Sequence, residues 1–178
     1  MKKIVVAQIG VGYWGPNIFR NLLKNKKCHL KIVVDKKLKR LAYVKKITKK
    51  VKTSTNINSI LNDSEVNAVI ISTPPQTHYD IAIKCLGAGK NILVEKPITT
   101  NLIQYKILAK LAAKKNLILM AGDLYLFNSA ILYIKKLIKN DYLGRILYFN
   151  SERKNLGRVR SDVDVNWSLS THDISIIQ

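Results

Sequence analysis

The sequence predicts an α/β protein in which a parallel β-sheet is covered by helices on both faces. Short apolar runs recur through the first two thirds of the chain, and a segment with helical spacing separates each run from the next. This alternation is typical of a parallel sheet, because parallel strands need crossover connections. The runs are continuously apolar, which indicates strands buried on both sides.

Five runs are predicted to be strands. The first, KIVVAQIG, is interrupted only by polar Gln8 and leads into a glycine turn. The third ends at Pro74 and Pro75, which cannot continue the hydrogen bonding of a strand. The predicted strands cover residues 3–10, 29–35, 67–73, 91–95 and 117–122.

Four helices are predicted between these strands, over residues 16–27, 36–49, 77–86 and 99–115. Pro16 stands near the first turn of its helix, where its missing N–H costs little. The GAG sequence at 87–89 ends the third helix. Thr99 or Thr100 is the predicted N-cap of the fourth.

The pattern changes after residue 122, so the prediction divides the chain into residues 1–122 and 123–178. A further helix is predicted over residues 129–139. GRILYFNSERKN, residues 144–155, alternates in the way expected of a strand with one solvated face. This second part is predicted to be the start of an α+β domain.

The turn after the first strand is G-V-G-Y-W-G. Gly10 permits the tight turn, Gly12 leaves room for a pyrophosphate, and Gly15 allows close packing of helix on strand. The next helix offers its free N–H groups and positive dipole end to phosphates. Residues 1–122 are therefore predicted to form a doubly wound, Rossmann-type dinucleotide-binding domain.

Asp35 ends the second predicted strand, 20 residues after Gly15. A carboxylate there can accept hydrogen bonds from the adenosine ribose hydroxyls, and its charge repels a 2′-phosphate. NAD is therefore the predicted cofactor, and Lys36 and Lys37 leave NADP as an alternative. The other interpretation of the motif is a plain strand–helix turn with an incidental Asp35.

The composition argues against a nucleic-acid-binding protein, a membrane protein and a zinc protein. The formal net charge of +20 invites a nucleic-acid interpretation, but the excess is lysine scattered over every segment and arginine is scarce. No apolar run approaches the roughly 20 residues that span a bilayer. Cys28 and Cys85 lie far apart without zinc-site spacing, as in a reduced cytoplasmic protein. We expect a cytoplasmic protein with no metal site and no membrane or nucleic-acid partner.

Four motifs in this order resemble the Gfo/Idh/MocA family of sugar-type dehydrogenases: GVGYWG (10–15), STPPQTH (72–78), EKP (95–97) and HDI (172–174). The resemblance implies an NAD(P)-dependent oxidoreductase that moves a hydride between nicotinamide and a hydroxyl of a sugar or nucleotide sugar. It also implies a homo-oligomer for a full-length protein. The segment from Tyr142 to Ser175 is most similar to the branch acting on nucleotide-linked and surface-polysaccharide sugars, such as UDP-N-acetylated sugar 3-dehydrogenases.

The resemblance assigns Lys96 a catalytic or substrate-orienting role. Oxidation of an alcohol needs its proton removed and the growing oxyanion stabilised, and an ammonium stabilises that charge. Glu95 can hold the ammonium in place; a strand-end salt bridge is the alternative. His172 corresponds to the acid–base histidine of the family. Its alternative is a hydrogen-bonded histidine at a helix start.

The same resemblance implies further contacts. Thr73, Pro74 and His78 fall in the loop that borders the nicotinamide half of the cofactor, although His78 can instead cap the following helix. Tyr13 and Trp14 lie in the glycine turn, where Trp14 either packs near the cofactor or is buried to shape the turn. The implied substrate contacts are Arg153, Asn155 and Arg160, which are otherwise ordinary surface residues.

Four departures from the family pattern count against an active enzyme. Ser168 stands where relatives often carry an acid four residues before the histidine. Asp123 and Phe127 replace a histidine and a tyrosine in the stretch GDLYLFNS. The chain ends at Gln178, before the remaining substrate-domain strands of relatives. The alternative is therefore a degenerate or truncated dinucleotide-binding protein without catalytic activity.

Overall fold

The predicted alternation folds into one six-stranded parallel sheet. The computed structural model describes residues 3–154 and 166–178, but not the side chains of residues 166 and 168. The sheet order is β3-β2-β1-β4-β5-β6, and every neighbouring pair is parallel. This confirms the doubly wound α/β fold. The strands are β1 (Ile4–Ile9), β2 (Cys28–Val34), β3 (Lys52–Ser54), β4 (Ala68–Ile71), β5 (Asn91–Val94) and β6 (Leu119–Ala121).

Helices cover both faces of this sheet. On one face, Phe19 and Val44 are fully buried; on the other, Leu86 and Leu108 are fully buried. Burying a side chain of this size stabilises the fold by roughly 1.5–3 kcal/mol. The helices are α1 (Gly15–Lys24), α2 (Leu38–Ile47), α3 (Asn58–Leu61), α4 (His78–Gly87) and α5 (Leu102–Lys114).

The central strand β1 sets where a ligand can bind. It pairs with β2 on one side and with β4 on the other, so the chain reverses its direction of progress across the sheet at this strand. The connections that leave β1 and β4 therefore diverge toward opposite faces and leave a crevice at their carboxyl ends. Open parallel sheets bind ligands in such crevices.

The sequence prediction misses β3 and α3. These elements have three and four residues, so neither is long enough to show a strand or helix period. β3 forms by pairing with β2 at the edge of the sheet.

The chain forms two compact units, Met1–Gly122 and Asp123–Gln178, and each is described by itself. The second unit contains α6 (Ser129–Lys139), which begins where predicted, and α7 (Thr171–Ile177), which follows a π-helical turn at Asn166–Ser170. Asn128 caps α6 by accepting hydrogen bonds from the backbone N–H groups of the two residues after Ser129.

The strand predicted over residues 144–155 is wrong for the described residues 144–154, which form neither strand nor helix. A strand is stable only when a neighbouring backbone takes up its hydrogen bonds. The described part of the second unit provides no such strand. The apolar side chains of Leu147, Tyr148 and Phe149 are exposed as a result.

Three further features of the described residues bear on the requirements of a membrane-spanning helix, a metal site and a reactive cysteine. No helix in the described ranges is long and apolar enough to cross a membrane. The same ranges contain no group of three His, Cys, Asp or Glu side chains placed to hold a metal ion. The cysteines are free thiols, and burial raises the pKa of Cys85 to about 12.

The N-cap of α5 is Asn101, so the predicted Thr99 and Thr100 are both wrong. The Asn101 side chain accepts hydrogen bonds from the backbone N–H of Ile103 (2.8 Å) and of Gln104 (3.3 Å). Thr99 instead donates its hydroxyl to the Asn101 carbonyl (2.9 Å). Thr99, Thr100 and Asn101 are all residue types that can cap a helix, so the sequence alone does not show which of them is the N-cap.

We expect Asn101→Ala to lower the free energy of unfolding by about 1 kcal/mol, because two helix N–H groups lose their acceptor. Exposed Thr100 is the matched control, and Thr100→Ala should change stability by less than about 0.5 kcal/mol. Urea denaturation of the two variants measures both values. A larger loss in Thr100→Ala than in Asn101→Ala would contradict this capping assignment.

Candidate cofactor and catalytic site

The glycine turn is shaped by close backbone contacts. Gly10 has φ of +94°, and a β-carbon there would lie 2.6 Å from the carbonyl oxygen of Ser72. A β-carbon on Gly15 would lie 2.5 Å from the carbonyl oxygen of Gly10. Both distances are below any tolerable contact, so these two positions accept only glycine. The strand–turn–helix geometry therefore requires the first and last glycines of the motif.

Two buried polar side chains, Gln8 and Ser72, hydrogen-bond to the backbone of this turn. Gln8 is fully buried in β1, and its Nε2 donates to the carbonyls of Gly10 and Gly15, each at 2.9 Å. The Ser72 hydroxyl donates to the same Gly10 carbonyl at 2.7 Å. In the sequence, Gln8 is visible only as a polar interruption of an apolar strand. That interruption is itself the signal, since a buried amide needs hydrogen-bond partners.

Gly12 faces the guanidinium of Arg40, a cation that no sequence motif indicates. A β-carbon on Gly12 would lie 3.4 Å from Nη1 of Arg40, which projects from α2. The same Nη1 lies 3.4 Å from Oδ2 of Asp35. Arg40 thus brings a positive charge to the front of the turn, where the pyrophosphate is predicted to approach.

Asp35 is held rigidly at the end of β2. It is buried, its Oδ2 accepts from the Val11 N–H at 2.8 Å, and its Oδ1 accepts from the Lys37 N–H at 2.9 Å. A carboxylate has about four acceptor positions. Asp35 therefore fixes the turn and the start of α2 and keeps capacity for a ligand hydroxyl.

The two aromatic residues of the turn point outward. Tyr13 is 81% exposed and Trp14 is 42% exposed, immediately before α1. The alternative in which Trp14 is buried to shape the turn does not hold. Their exposure leaves both aromatic rings accessible to a ligand that lies on the turn.

This set of groups fits a dinucleotide. The absence of a β-carbon at Gly12 provides space. The Gly15 N–H at the start of α1 provides a donor. The buried Asp35 carboxylate after β2 provides an acceptor. Backbone N–H groups at a helix start bind phosphates, and the carboxylate binds ribose hydroxyls.

The loops after β4 and β5 meet at His78. The ring is fully buried; Nε2 lies 2.8 Å from the Thr73 carbonyl and Nδ1 lies 2.8 Å from the Pro97 carbonyl. His78 does not cap α4, since it is the first helical residue and the cap position belongs to Thr77, whose side chain accepts no capping hydrogen bond. Thr73 is partly exposed and Pro74 is exposed, so these two residues border the crevice.

Lys96 follows β5 directly and is partly exposed. The preceding Glu95 extends the pairing of β5 with β4, because its N–H donates to the Ile71 carbonyl at 2.9 Å. The Glu95 carboxyl also lies close to Gly122, where a β-carbon would be 3.4 Å from it. Lys96 is therefore carried by a well-anchored backbone at the carboxyl edge of the sheet.

In the second unit, His172 lies beside an aromatic ring and a salt bridge. The rings of His172 and Tyr125 meet edge to face with centroids 5.0 Å apart. Arg153 lies 5.5 Å from the centre of the Tyr125 ring and binds Asp173 through Nε and Nη2, both at 2.8 Å. Arg153 and the Ser151 hydroxyl lower the pKa of Asp173 to about 2.

The predicted site residues therefore fall into three groups. The first unit brings together the turn glycines, Asp35 and the loops after β4 and β5, and the second unit brings His172 next to Arg153. Asn155 and Arg160, together with the side chain of Ser168, lie outside the described residues.

Gly15→Ala should weaken NAD binding by about tenfold or more, because its β-carbon displaces the turn that is to hold the pyrophosphate. The matched control is Gly87→Ala at the end of α4, where a β-carbon meets nothing within 4 Å. Titration calorimetry with NAD measures both affinities. Equal affinity in the two variants would show that the turn does not hold the cofactor.

Burial lowers the pKa of His78, although its two carbonyl neighbours raise it. The unfolded chain then binds more protons than the folded chain below the ordinary histidine pKa of about 6.5. Stability should therefore fall as the pH drops through that value.

Urea denaturation between about pH 8 and pH 5 measures this slope. His78→Asn should remove this part of it, and the same change at exposed His29 should leave it. An unchanged slope in His78→Asn would contradict the assignment.

Comparison with known proteins agrees with the geometry. Residues 4–123 match the family model described as "Oxidoreductase family, NAD-binding Rossmann fold", GFO_IDH_MocA. An uncharacterized oxidoreductase of Schizosaccharomyces pombe is 37% identical over 117 residues, which are 66% of this chain and 31% of that protein. The scyllo-inositol 2-dehydrogenase (NADP(+)) of Bacillus subtilis is 31% identical over 111 residues, 62% of this chain and 30% of that protein.

Solved structures show the same similarity. A crystal structure from Magnetospirillum magnetotacticum MS-1, assigned as an oxidoreductase, superposes with a TM-score of 0.88 at 30% identity. It covers 99% of this chain and 56% of its own. The chain spans less than half the length of the curated relatives named above. The chain belongs to the Gfo/Idh/MocA family of oxidoreductases and carries its NAD-binding Rossmann fold.

Proposed function

We propose that this protein transfers a hydride between NAD and a CH–OH group of a sugar or polyol. The observation that carries the proposal is the place of Lys96. It follows β5 at the same edge of the sheet where β1 leads into the glycine turn, because all six strands are parallel. An ammonium at this edge lies where such sheets bind their ligands.

Lys96 would orient the reacting hydroxyl and stabilise the negative charge that grows on its oxygen. Nicotinamide, when bound, accepts or supplies the hydride. An ammonium stabilises an oxyanion strongly where water is excluded. His172 is proposed to take up the hydroxyl proton, since an imidazole exchanges protons near neutral pH. Glu95 is proposed to hold Lys96 in place.

NAD is the proposed cofactor in preference to NADP. Asp35 supports this choice, because its buried carboxylate is fixed by two backbone N–H groups and would repel a 2′-phosphate. Arg40, Lys36 and Lys37 supply positive charge next to it. The relative from Bacillus subtilis is named for NADP(+), so both cofactors belong in the assay.

The substrate class is proposed from relatives and from the sequence resemblance. The scyllo-inositol dehydrogenase supports a polyol. The segment from Tyr142 to Ser175 supports a nucleotide-linked sugar as the finer assignment. Arg153 is bidentate to Asp173, so we propose that it positions α7 and His172 rather than serving as a substrate contact alone. Asn155 and Arg160 stay predictions, as does a homo-oligomer.

The second candidate is a dinucleotide-binding protein without catalysis. Ser168, in place of the usual acid, favours it, because serine carries no charge to raise the basicity of His172. The neighbouring acid, Asp173, is bound by Arg153 through both of its oxygens.

Lys96→Met should lower turnover by at least about 100-fold while NAD affinity stays near the starting value, because the ammonium acts on the hydroxyl. NADH absorbance with a panel of inositols, sugars and UDP-sugars measures turnover with either cofactor. Exposed Lys84 on α4 is the matched control, and Lys84→Met should leave turnover unchanged.

Unchanged turnover in Lys96→Met would contradict the role of that residue. Tight NAD binding by the unmodified chain without turnover of any substrate in the panel would favour the binding protein instead.

A further inference from the structure

We propose that His78 is a positioning residue for Lys96, acting by donating its Nδ1 proton to the buried carbonyl of Pro97. The proposal rests on the proposed role of Lys96. His78 is fully buried and would therefore influence the reaction indirectly. It would act through the backbone of Pro97, the residue that follows Lys96.

Lys96 lies between two backbone hydrogen-bonding contacts. Before it, the Glu95 N–H donates to the Ile71 carbonyl at 2.9 Å. After it, the Pro97 carbonyl lies 2.8 Å from Nδ1 of His78. Both contacts lead to the segment formed by β4 and the start of α4. The position of the Lys96 backbone relative to the crevice is thus fixed from one side of the sheet.

The contact after Lys96 involves Pro97. Proline has no N–H, so its carbonyl is its only backbone polar group, and Pro97 is buried. A buried carbonyl without a donor costs roughly 1–3 kcal/mol. Nδ1 of His78 lies within hydrogen-bond distance and provides that donor.

The neighbours of the His78 ring determine the proton position. Both neighbours of the ring are carbonyls, and a neutral imidazole has only one N–H to donate. Burial lowers the pKa of His78, so the ring is neutral at neutral pH. Either neutral tautomer turns a bare ring nitrogen toward one of the two carbonyls. Thr73 is partly exposed, so its carbonyl can turn aside and accept from water, whereas Pro97 is buried with its carbonyl beside Nδ1. The proton therefore belongs on Nδ1.

The unmodified protein tests the proton position directly. The chain has three histidines, so long-range proton–nitrogen spectra of ¹⁵N-labelled protein show few imidazole signals, and loss of one set in His78→Asn assigns them. At neutral pH we expect the Nδ1–H tautomer for His78. A proton on Nε2 with a bare Nδ1 would overturn the proposal.

A pair of variants tests the consequence for Lys96. The amide nitrogen of asparagine lies near the place of Nδ1, and that of glutamine lies near the place of Nε2. His78→Asn therefore keeps a donor for Pro97, whereas His78→Gln keeps one for Thr73 only. The readout is the rate of Lys96 acetylation by acetic anhydride, measured by peptide mass spectrometry with Lys84 as the internal reference.

We expect the acetylation rate of Lys96 to stay at its starting value in His78→Asn and to change several-fold in His78→Gln. With an active substrate in hand, turnover should be at least about tenfold lower in His78→Gln than in His78→Asn, because small displacements of a reacting group are costly. NAD affinity is measured in both variants, because His78 also contacts the Thr73 carbonyl beside the glycine turn.

Equal effects of the two substitutions, or no effect of either, would overturn the positioning role. This result is separable from the function proposed for Lys96. Acetylation needs no substrate, whereas Lys96→Met tests the catalytic role through turnover.

Discussion

The structure depends on backbone packed against backbone at the start of α1. The carbonyl of Ser72 and the carbonyl of Gly10 lie where β-carbons on Gly10 and Gly15 would have to be. This contact brings β1, β4 and α1 together at one point. Gln8 and the Ser72 hydroxyl both donate to the Gly10 carbonyl, and Gln8 also donates to the Gly15 carbonyl, so side-chain donors stabilise this tight approach. The turn is rigid before any ligand arrives.

Polar side chains lie on both sides of β1 at the carboxyl edge of the sheet, and the two sides differ in their chemistry. The β2 side carries Asp35 and Arg40, which suit ribose and phosphate. The β4 and β5 side carries Thr73 and Lys96, which suit nicotinamide and a reacting hydroxyl. His78 joins the two loops on that side. A dinucleotide bound across β1 would therefore have its adenosine end near Asp35 and Arg40 and its nicotinamide end near Thr73 and Lys96.

Sequence patterns predict the fold well because the sheet is built from continuous apolar strands with crossover helices. They fail where structure comes from pairing or local geometry. β3 is too short to show a strand period, and the described part of the second unit offers residues 144–154 no partner strand. The same limit applies to the site. Motifs mark the glycines, Asp35 and Lys96 as candidates, whereas the contacts of Gln8, Arg40 and His78 are visible only in the folded structure.

A crystal structure of the chain with bound NAD tests the central claim most directly. The account predicts the pyrophosphate over Gly12, the adenosine ribose hydroxyls on Asp35, and the nicotinamide ring beside Lys96. A pyrophosphate bound away from the glycine turn would contradict the account. So would a Lys96 ammonium directed away from the nicotinamide.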